Sequence, residues 1–301
     1  MSDHHHLHHP TSPSSQDAKE NIAIAFTLNA VFTIIEIVGG ILTNSIAIIS
    51  DAVHDLGDTI SLGLAWYSEK LAQRKPDSRY TYGYKRFPVL AALINAAFLL
   101  AASVFVLTQA IPMLLKPSQV NETGMIVLAL LGIIFNGAAV LRLKGGQSLN
   151  QRVVRLHLME DTLGWIAVLA GALIMKYTGL KWIDAALAIG IALYIIFNAL
   201  RNLRDALRIF LQATPEKANG NEIAAAILEI NGIEGIHDVR TWTIDGMIHV
   251  YTLHIVTKSD IKAEQFPEIK QQVRRFLSEK GFEFVTIEID THDEHCQLNN
   301  C

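Results

Sequence analysis

Cysteine is nearly absent from this 301-residue chain: Cys296 and Cys301 are the two, and both stand at the C-terminal end. That excludes a disulfide framework and is compatible with a reducing compartment. Charged residues are also scarce, at 18% of the chain, against roughly 25% in soluble domains. The formal charge of -4 is too small to point to a nucleic-acid partner. The N-terminus is polar and histidine-rich, so no cleavable signal peptide is expected. The chain also lacks His-Glu-x-x-His and a three-ligand set with an evident base, which argues against an intramembrane zinc enzyme. Apolar residues, by contrast, make up half the chain. An integral membrane protein with a soluble part, in two domains, fits that composition and length.

Residues 1–20 hold His4, His5, His6, His8 and His9 with prolines and serines, and are expected to be a disordered tail. An appended tag and a native metal-collecting tail both fit the histidines. Six apolar runs follow, at about 22–41, 45–67, 88–111, 125–143, 154–175 and 182–200, each near the ~20 residues that cross a bilayer. Lys70, Arg74, Lys75, Arg79, Lys85 and Arg86 lie between the second and third runs, and Arg142, Lys144, Arg152 and Arg155 between the fourth and fifth. The other three connections hold only Lys116, Lys176 and Lys181. By the positive-inside rule the two basic connections face the cytoplasm, and so do both termini. The expected division is a tail at 1–20, a six-helix membrane domain at 21–205, a cytoplasmic domain at 206–291 and a tail at 292–301.

From about Ala206 the composition becomes that of a soluble domain. A helix over 221–230, strands over 239–244 and 248–257 around an Asp245-Gly246 turn, a helix over 264–280 and a strand over 284–289 predict a small α+β domain.

The second run carries Asp51, His54, Asp55 and Asp58, within a sector of about 100° on one helix face. Each ionisable group at the centre of a membrane helix costs at least about 2.5–3.5 kcal/mol, so the four demand compensation. His54 and Asp58 are spaced i,i+4, and the fifth run repeats the device with His157 and Asp161, beside Glu160. If the two faces meet, two imidazoles and two carboxylates surround one ion, a set suited to tetrahedral Zn²⁺ and open to Cd²⁺ or Co²⁺. A structural network of capping and bridging side chains is the alternative reading. Asp51, Asp55 and Glu160 are candidates for supporting or access-path roles.

With these motifs the sequence resembles the cation diffusion facilitator family of zinc and related-metal transporters. The resemblance covers nearly the whole chain: six spans, Asp51-Ala52-Val53-His54-x-x-x-Asp58, His157-x-x-x-Asp161 and a C-terminal αββαβ, ferredoxin-like domain. It implies a transporter rather than an enzyme, a homodimer in the lipid bilayer that exchanges cytoplasmic Zn²⁺ for protons by alternating access. It implies a transport site of His54, Asp58, His157 and Asp161, and the His-first motif resembles the zinc and cadmium branch. An imidazole must be neutral to ligate, and its ordinary pKa of about 6.5 makes exchange with protons feasible near neutral pH.

The resemblance also implies zinc at a cytoplasmic dimer contact. His237, His254 and Asp290 resemble its ligands, and Glu288 stands where some members have histidine. His292, His295 and Cys296 either add a softer ligand set or form a solvated end, and His249 is read as a surface residue. Where some members bind metal between spans two and three, this chain has Tyr80, Tyr82 and Tyr84, so no metal is expected there. The stretch 145–151 lacks the histidines of many eukaryotic members, which points to a bacterial inner membrane. A membrane-anchored metal sensor without transport, and a carrier for Co²⁺ or Ni²⁺, are the competing readings.

Overall fold

The computed structural model describes residues 15–143, 149–215 and 220–291. Six long helices come first: α1 (Ser15–Thr43), α2 (Ile46–Ala72), α3 (Phe87–Leu115), α4 (Glu122–Arg142), α5 (Leu149–Thr178) and α6 (Trp182–Phe210). By length and composition, α1 and α3 to α6 can each cross a membrane. The 27-residue α2 is more polar, with Asp51, Asp55 and Asp58 in its N-terminal half. It is nonetheless the second of six transmembrane helices. Its interior charge is what a functional span carries.

Exposure follows the logic of a bilayer. Ile34, Leu42, Phe105 and Phe197 lie on the outside, while Glu36, Asp51, Asp55 and Asp161 are buried. α1 begins at Ser15, inside the stretch expected to be disordered. Between Pro13 and Gly39 no proline or glycine interrupts the chain, and each added residue gains one hydrogen bond once a helix is nucleated. Likewise α6 continues to Phe210, beyond the change of composition at Ala206.

The molecule divides into two compact units, one of Met1–Gly63 with Asn95–Leu200 and the other of Leu64–Ile94 with Arg201–Cys301. In the first, Trp165 of α5 is fully buried against Phe32 of α1, with ring centroids 5.4 Å apart in an edge-on contact. Gly132 of α4 makes this possible. An ideal Cβ there would fall 2.3 Å from Trp165 Cδ2, so only glycine lets α4 and α5 approach this closely.

The second unit contains α7 (Gly220–Leu228), β1 (Ile233–Thr243), β2 (His249–Thr257), a 3₁₀ turn (Ala263–Gln265), α8 (Phe266–Glu279) and β3 (Phe282–Asp290). The strand order is β1-β2-β3, antiparallel then parallel. Ile269, Val273 and Leu277 form one stripe of α8 and pack with Ile223 and Ile227 of α7 on Tyr251, Leu253 and Ile255 of β2. The Asp245-Gly246 turn forms as its sequence indicates. Gly246 takes φ 94°, and Asp245 Oδ1 accepts from the amides of Met247 and Ile248 at 2.9 and 2.8 Å.

Within these elements one boundary differs from expectation by more than two residues. β1 starts at Ile233, six residues before the predicted 239, because two register shifts interrupt its alternation, between Ile233 and Gly235 and between His237 and Arg240. At the second shift Asp238 adopts φ 45°, as at a bulge.

Between α2 and α3, in the same unit, Asp77 accepts from the amides of Arg79 and Tyr80 and from the Tyr84 hydroxyl, each at 2.8 Å. The Tyr80 amide, with these partners, holds Asp77 below the usual carboxylate range. The bond to Asp77 in turn pushes the Tyr84 phenol up. The tyrosines that stand in place of histidines therefore close the loop on itself, and Tyr82 meets Phe284 of β3 edge-on at 5.2 Å.

Candidate metal centres

Two groups of His and Asp side chains, residue types able to ligate a metal, come together, one in each unit. In the first unit the i,i+4 spacing of α2 and α5 brings each His and Asp onto one helix face, and helix packing turns the two faces together. His54 Nε2 lies 3.6 Å from Asp58 Oδ2, and His157 Nε2 lies 3.6 Å from Asp161 Oδ2. The link between helices is His157 Nε2 to Asp58 Oδ2, at 3.1 Å. The two imidazoles stand nearly perpendicular, with centroids 6.1 Å apart.

These approaches are close in distance but poorly aligned as hydrogen bonds. Asp58 Oδ2, Asp161 Oδ2 and His54 Nδ1 are buried without a hydrogen-bond partner. Buried polar atoms left in this condition cost free energy, and the two carboxylate oxygens are relieved when a proton or a cation engages them. Two nitrogens and two carboxylates converging from two helices suit a divalent ion of borderline softness.

The supporting residues separate into two groups. Asp51 and Asp55 are themselves i,i+4, but they lie on a more buried stripe of α2 than His54 and Asp58. There they meet a residue that the sequence had hidden. Glu36 of α1 is fully buried within reach of Asp55 and the Trp165 indole, but neither of its carboxylate oxygens makes a well-aligned hydrogen bond. A lone Glu within an apolar run of twenty was the available signal, since an ionisable residue at that depth is a functional candidate in itself. Glu160, on the other hand, is exposed, and its Oε2 accepts from the Tyr194 hydroxyl at 3.3 Å.

The second group is built across the sheet. His237 of β1 pairs with His254 of β2, and His254 with Glu288 of β3, so one row crosses all three strands. Asp290 stands two residues beyond Glu288 on the same face. Its Oδ2 lies 2.8 Å from His237 Nε2 and 3.3 Å from His254 Nδ1. His237, His254 and Asp290 each offer a ligand atom within 4.8 Å of the others, the one such trio among the described residues. The intramembrane four are strung out more loosely, through Asp58 and His157.

Glu288 Oε2 reaches His254 Nε2 at 3.3 Å from a side chain two-thirds exposed, a position on the rim. Asp238, not singled out from the sequence, brings Oδ2 to 3.7 Å from His254 Nε2 while its Oδ1 holds Arg240 at 2.8 Å. The bulge that turns it inward has no sequence signature stronger than the Gly235 just before it. His249 stays apart from this group, with its ring 6.1 Å from Phe282. His292, His295 and Cys296, like the N-terminal histidines, lie outside the described residues.

Comparison with known proteins agrees with this two-part layout. Residues 22–211 match the family model described as "Cation efflux transmembrane domain", and 215–292 match "Cation efflux protein, cytoplasmic domain". The "Metal cation efflux system protein CzcD" of Cupriavidus metallidurans is 36% identical over 259 residues, 85% of this chain and 82% of that protein. A "Cadmium, cobalt and zinc/H(+)-K(+) antiporter" of Bacillus velezensis is 32% identical over 91% of this chain and 88% of its own. "Zinc transporter ZitB" of Pectobacterium atrosepticum is 30% identical over 98% and 92%. The chain belongs to the cation diffusion facilitator family of transporters.

Proposed function

We propose that this protein is a Zn²⁺/H⁺ antiporter that exports zinc, and with it Cd²⁺, from the cytoplasm. It works as a homodimer by alternating access. The observation that carries the reading is the meeting of two His-x-x-x-Asp pairs from α2 and α5 around Asp58 Oδ2. His54, Asp58, His157 and Asp161 form the transport site. With the site open inward, Zn²⁺ takes the imidazole nitrogens and displaces protons, and with the site open outward protons return and release the ion. The two carboxylates offset the charge of the ion as it leaves water. Asp51, Asp55 and Glu36 form a buried acidic flank along the path.

The functional division is a membrane domain at 21–205, a metal-sensing and dimerising domain at 206–291 and tails at 1–20 and 292–301. In the sensing domain, zinc held by His237, His254 and Asp290, with Glu288 and Asp238 at the rim, stabilises the closed dimer. By the positive-inside rule the two basic connections support cytoplasmic termini, and the bacterial relatives support a bacterial inner membrane. The relatives named for zinc, cadmium, cobalt and an H⁺-K⁺ counter-flow set the panel for testing.

The test is metal-driven proton flux in proteoliposomes containing purified protein, with Zn²⁺, Cd²⁺, Co²⁺, Ni²⁺ and Mn²⁺ in competition. His157→Ala abolishes zinc-driven flux on this reading. Undiminished flux in that variant refutes the site assignment. Tight zinc binding without flux in the parent protein favours a sensor.

A further inference from the structure

The connections α1–α2, α3–α4 and α5–α6 lie at the same end of the helical bundle, by the alternation of six antiparallel spans. At that end α2 is held by another helix. Its first orphan amides, those of Ile46 and Ala47, donate to Asp184 Oδ2 at 2.8 Å and Oδ1 at 3.4 Å. Asp184 belongs to the first turn of α6. The Ser45 hydroxyl donates to Asp184 Oδ1 at 2.6 Å, and the Ile48 amide donates to that hydroxyl at 3.2 Å. One carboxylate thus stands at the positive ends of two helices, and both Asp184 and Ser45 are buried.

Neighbouring bonds extend the tie to the third connection. The Asn121 amide donates to the Thr43 carbonyl at 2.9 Å, the Asn44 side chain to the Gln119 carbonyl at 2.9 Å, and Lys181 to the Gln119 side chain. Beneath Asp184, Ile46, Ala47, Ala110 and Ala188 form an apolar plug.

We propose that Asp184 is the latch of the outer gate, a positioning residue that acts on transport through α2. This rests on the carrier reading above. His54 and Asp58 lie nine and thirteen residues along α2 from Ser45, about 13 and 20 Å from the latch along the helix. An ion at that depth leaves toward this end only if α2 and α6 part. Parting them removes every acceptor that α6 gives to α2. The latch is therefore shut in the structure and opens in the outward-facing state, so its strength sets how often the carrier opens outward.

The experiment uses the full chain with Cys296→Ser and Cys301→Ser, and Ala188→Cys as a reporter one turn below Asp184. In sealed vesicles a membrane-impermeant maleimide is added from the outer side. Asp184→Ala raises the labelling rate by ~10- to 100-fold, the factor expected from losing a hydrogen bond to a charged group. Zinc affinity in detergent changes much less, and the loss in zinc-driven flux appears in maximal rate rather than in KM. Ser45→Ala, which keeps the carboxylate, gives a smaller rise and covers the case in which Asp184→Ala does not fold. Unchanged labelling in either folded variant overturns the latch. Absence of flux in the parent protein overturns the carrier reading and leaves the labelling result to stand by itself.

Discussion

Gly132→Ala tests the architecture around the proposed transport site without touching any of its four residues. An ideal Cβ at Gly132 would lie 2.3, 2.5 and 2.6 Å from Trp165 Cδ2, Cγ and Cε2. Carbon atoms in contact sit at about 3.5–4.0 Å, so the indole and the α4 backbone must separate by roughly 1 Å or more. Trp165 has nowhere to go. It is fully buried, with Phe32 edge-on against it and Glu36 beside it. A close-packed interior passes such strain on rather than absorbing it. Overpacking of this kind costs about 1–3 kcal/mol, and a rigid ring places this case at the upper end. That is a large share of a typical stability of about 5–15 kcal/mol.

Trp165 is one turn beyond Asp161 on α5, so displacing the ring shifts His157 and Asp161 relative to α2 and disturbs the 3.1 Å approach of His157 to Asp58. Misplacement by about 1 Å can cost on the order of 100-fold in a positioned site. Zinc-driven flux in proteoliposomes and thermal unfolding in detergent should both fall for Gly132→Ala, while Gly137→Ala, with open space around its Cβ, serves as the control. Wild-type flux and melting temperature in Gly132→Ala would refute the reasoning.

Three further outcomes are expected. Asp58→Asn lowers zinc affinity more than Asp161→Asn, about 100-fold against about 10-fold, because Asp58 Oδ2 faces both imidazoles and Asp161 faces one; zinc-concentration curves of flux measure the order, and equal losses contradict it. Asp290→Ala removes the oxygen shared by His237 and His254, so calorimetric titration of the full chain loses one class of zinc site while His249→Ala keeps it. Tyr251→Phe stabilises the protein by about 1 kcal/mol, because the buried hydroxyl has no partner to lose. Burial also raises the Tyr251 phenol above its ordinary value. The folded state thus favours neutral phenol, and its contribution is intact below pH ~10 and lost as pH rises through the raised value. Tyr251→Phe should abolish that alkaline component of unfolding, and an identical alkaline profile would count against it.

Much of the fold was legible because its signals are local. Six apolar runs predict six spans, and Asp245-Gly246 between alternating residues predicts a hairpin. The exceptions have physical causes. The start of β1 is hidden because the Asp238 bulge breaks the alternation that marks a strand. The capacity of α2 to span a membrane is obscured by its own three carboxylates. Glu36 has no local signature, because nothing within a helical turn of it is charged. Its partners come from α2 and α5.

The spacing of residues along one helix belongs to the sequence by itself. His54 with Asp58, and His157 with Asp161, share a face wherever those helices form, because 3.6 residues make a turn. The same holds for the family to which those motifs lead. What lies across from each face was decided only by tertiary structure. Helix packing joined the two pairs at Asp58 Oδ2, turned Asp51 and Asp55 toward Glu36 and left Glu160 outside. Strand register lined up His237, His254 and Glu288, and the α6 carboxylate of Asp184 came to cap α2 from 138 residues away. Such contacts depend on packing angles and register summed over many weak interactions, and no local pattern of residues encodes them.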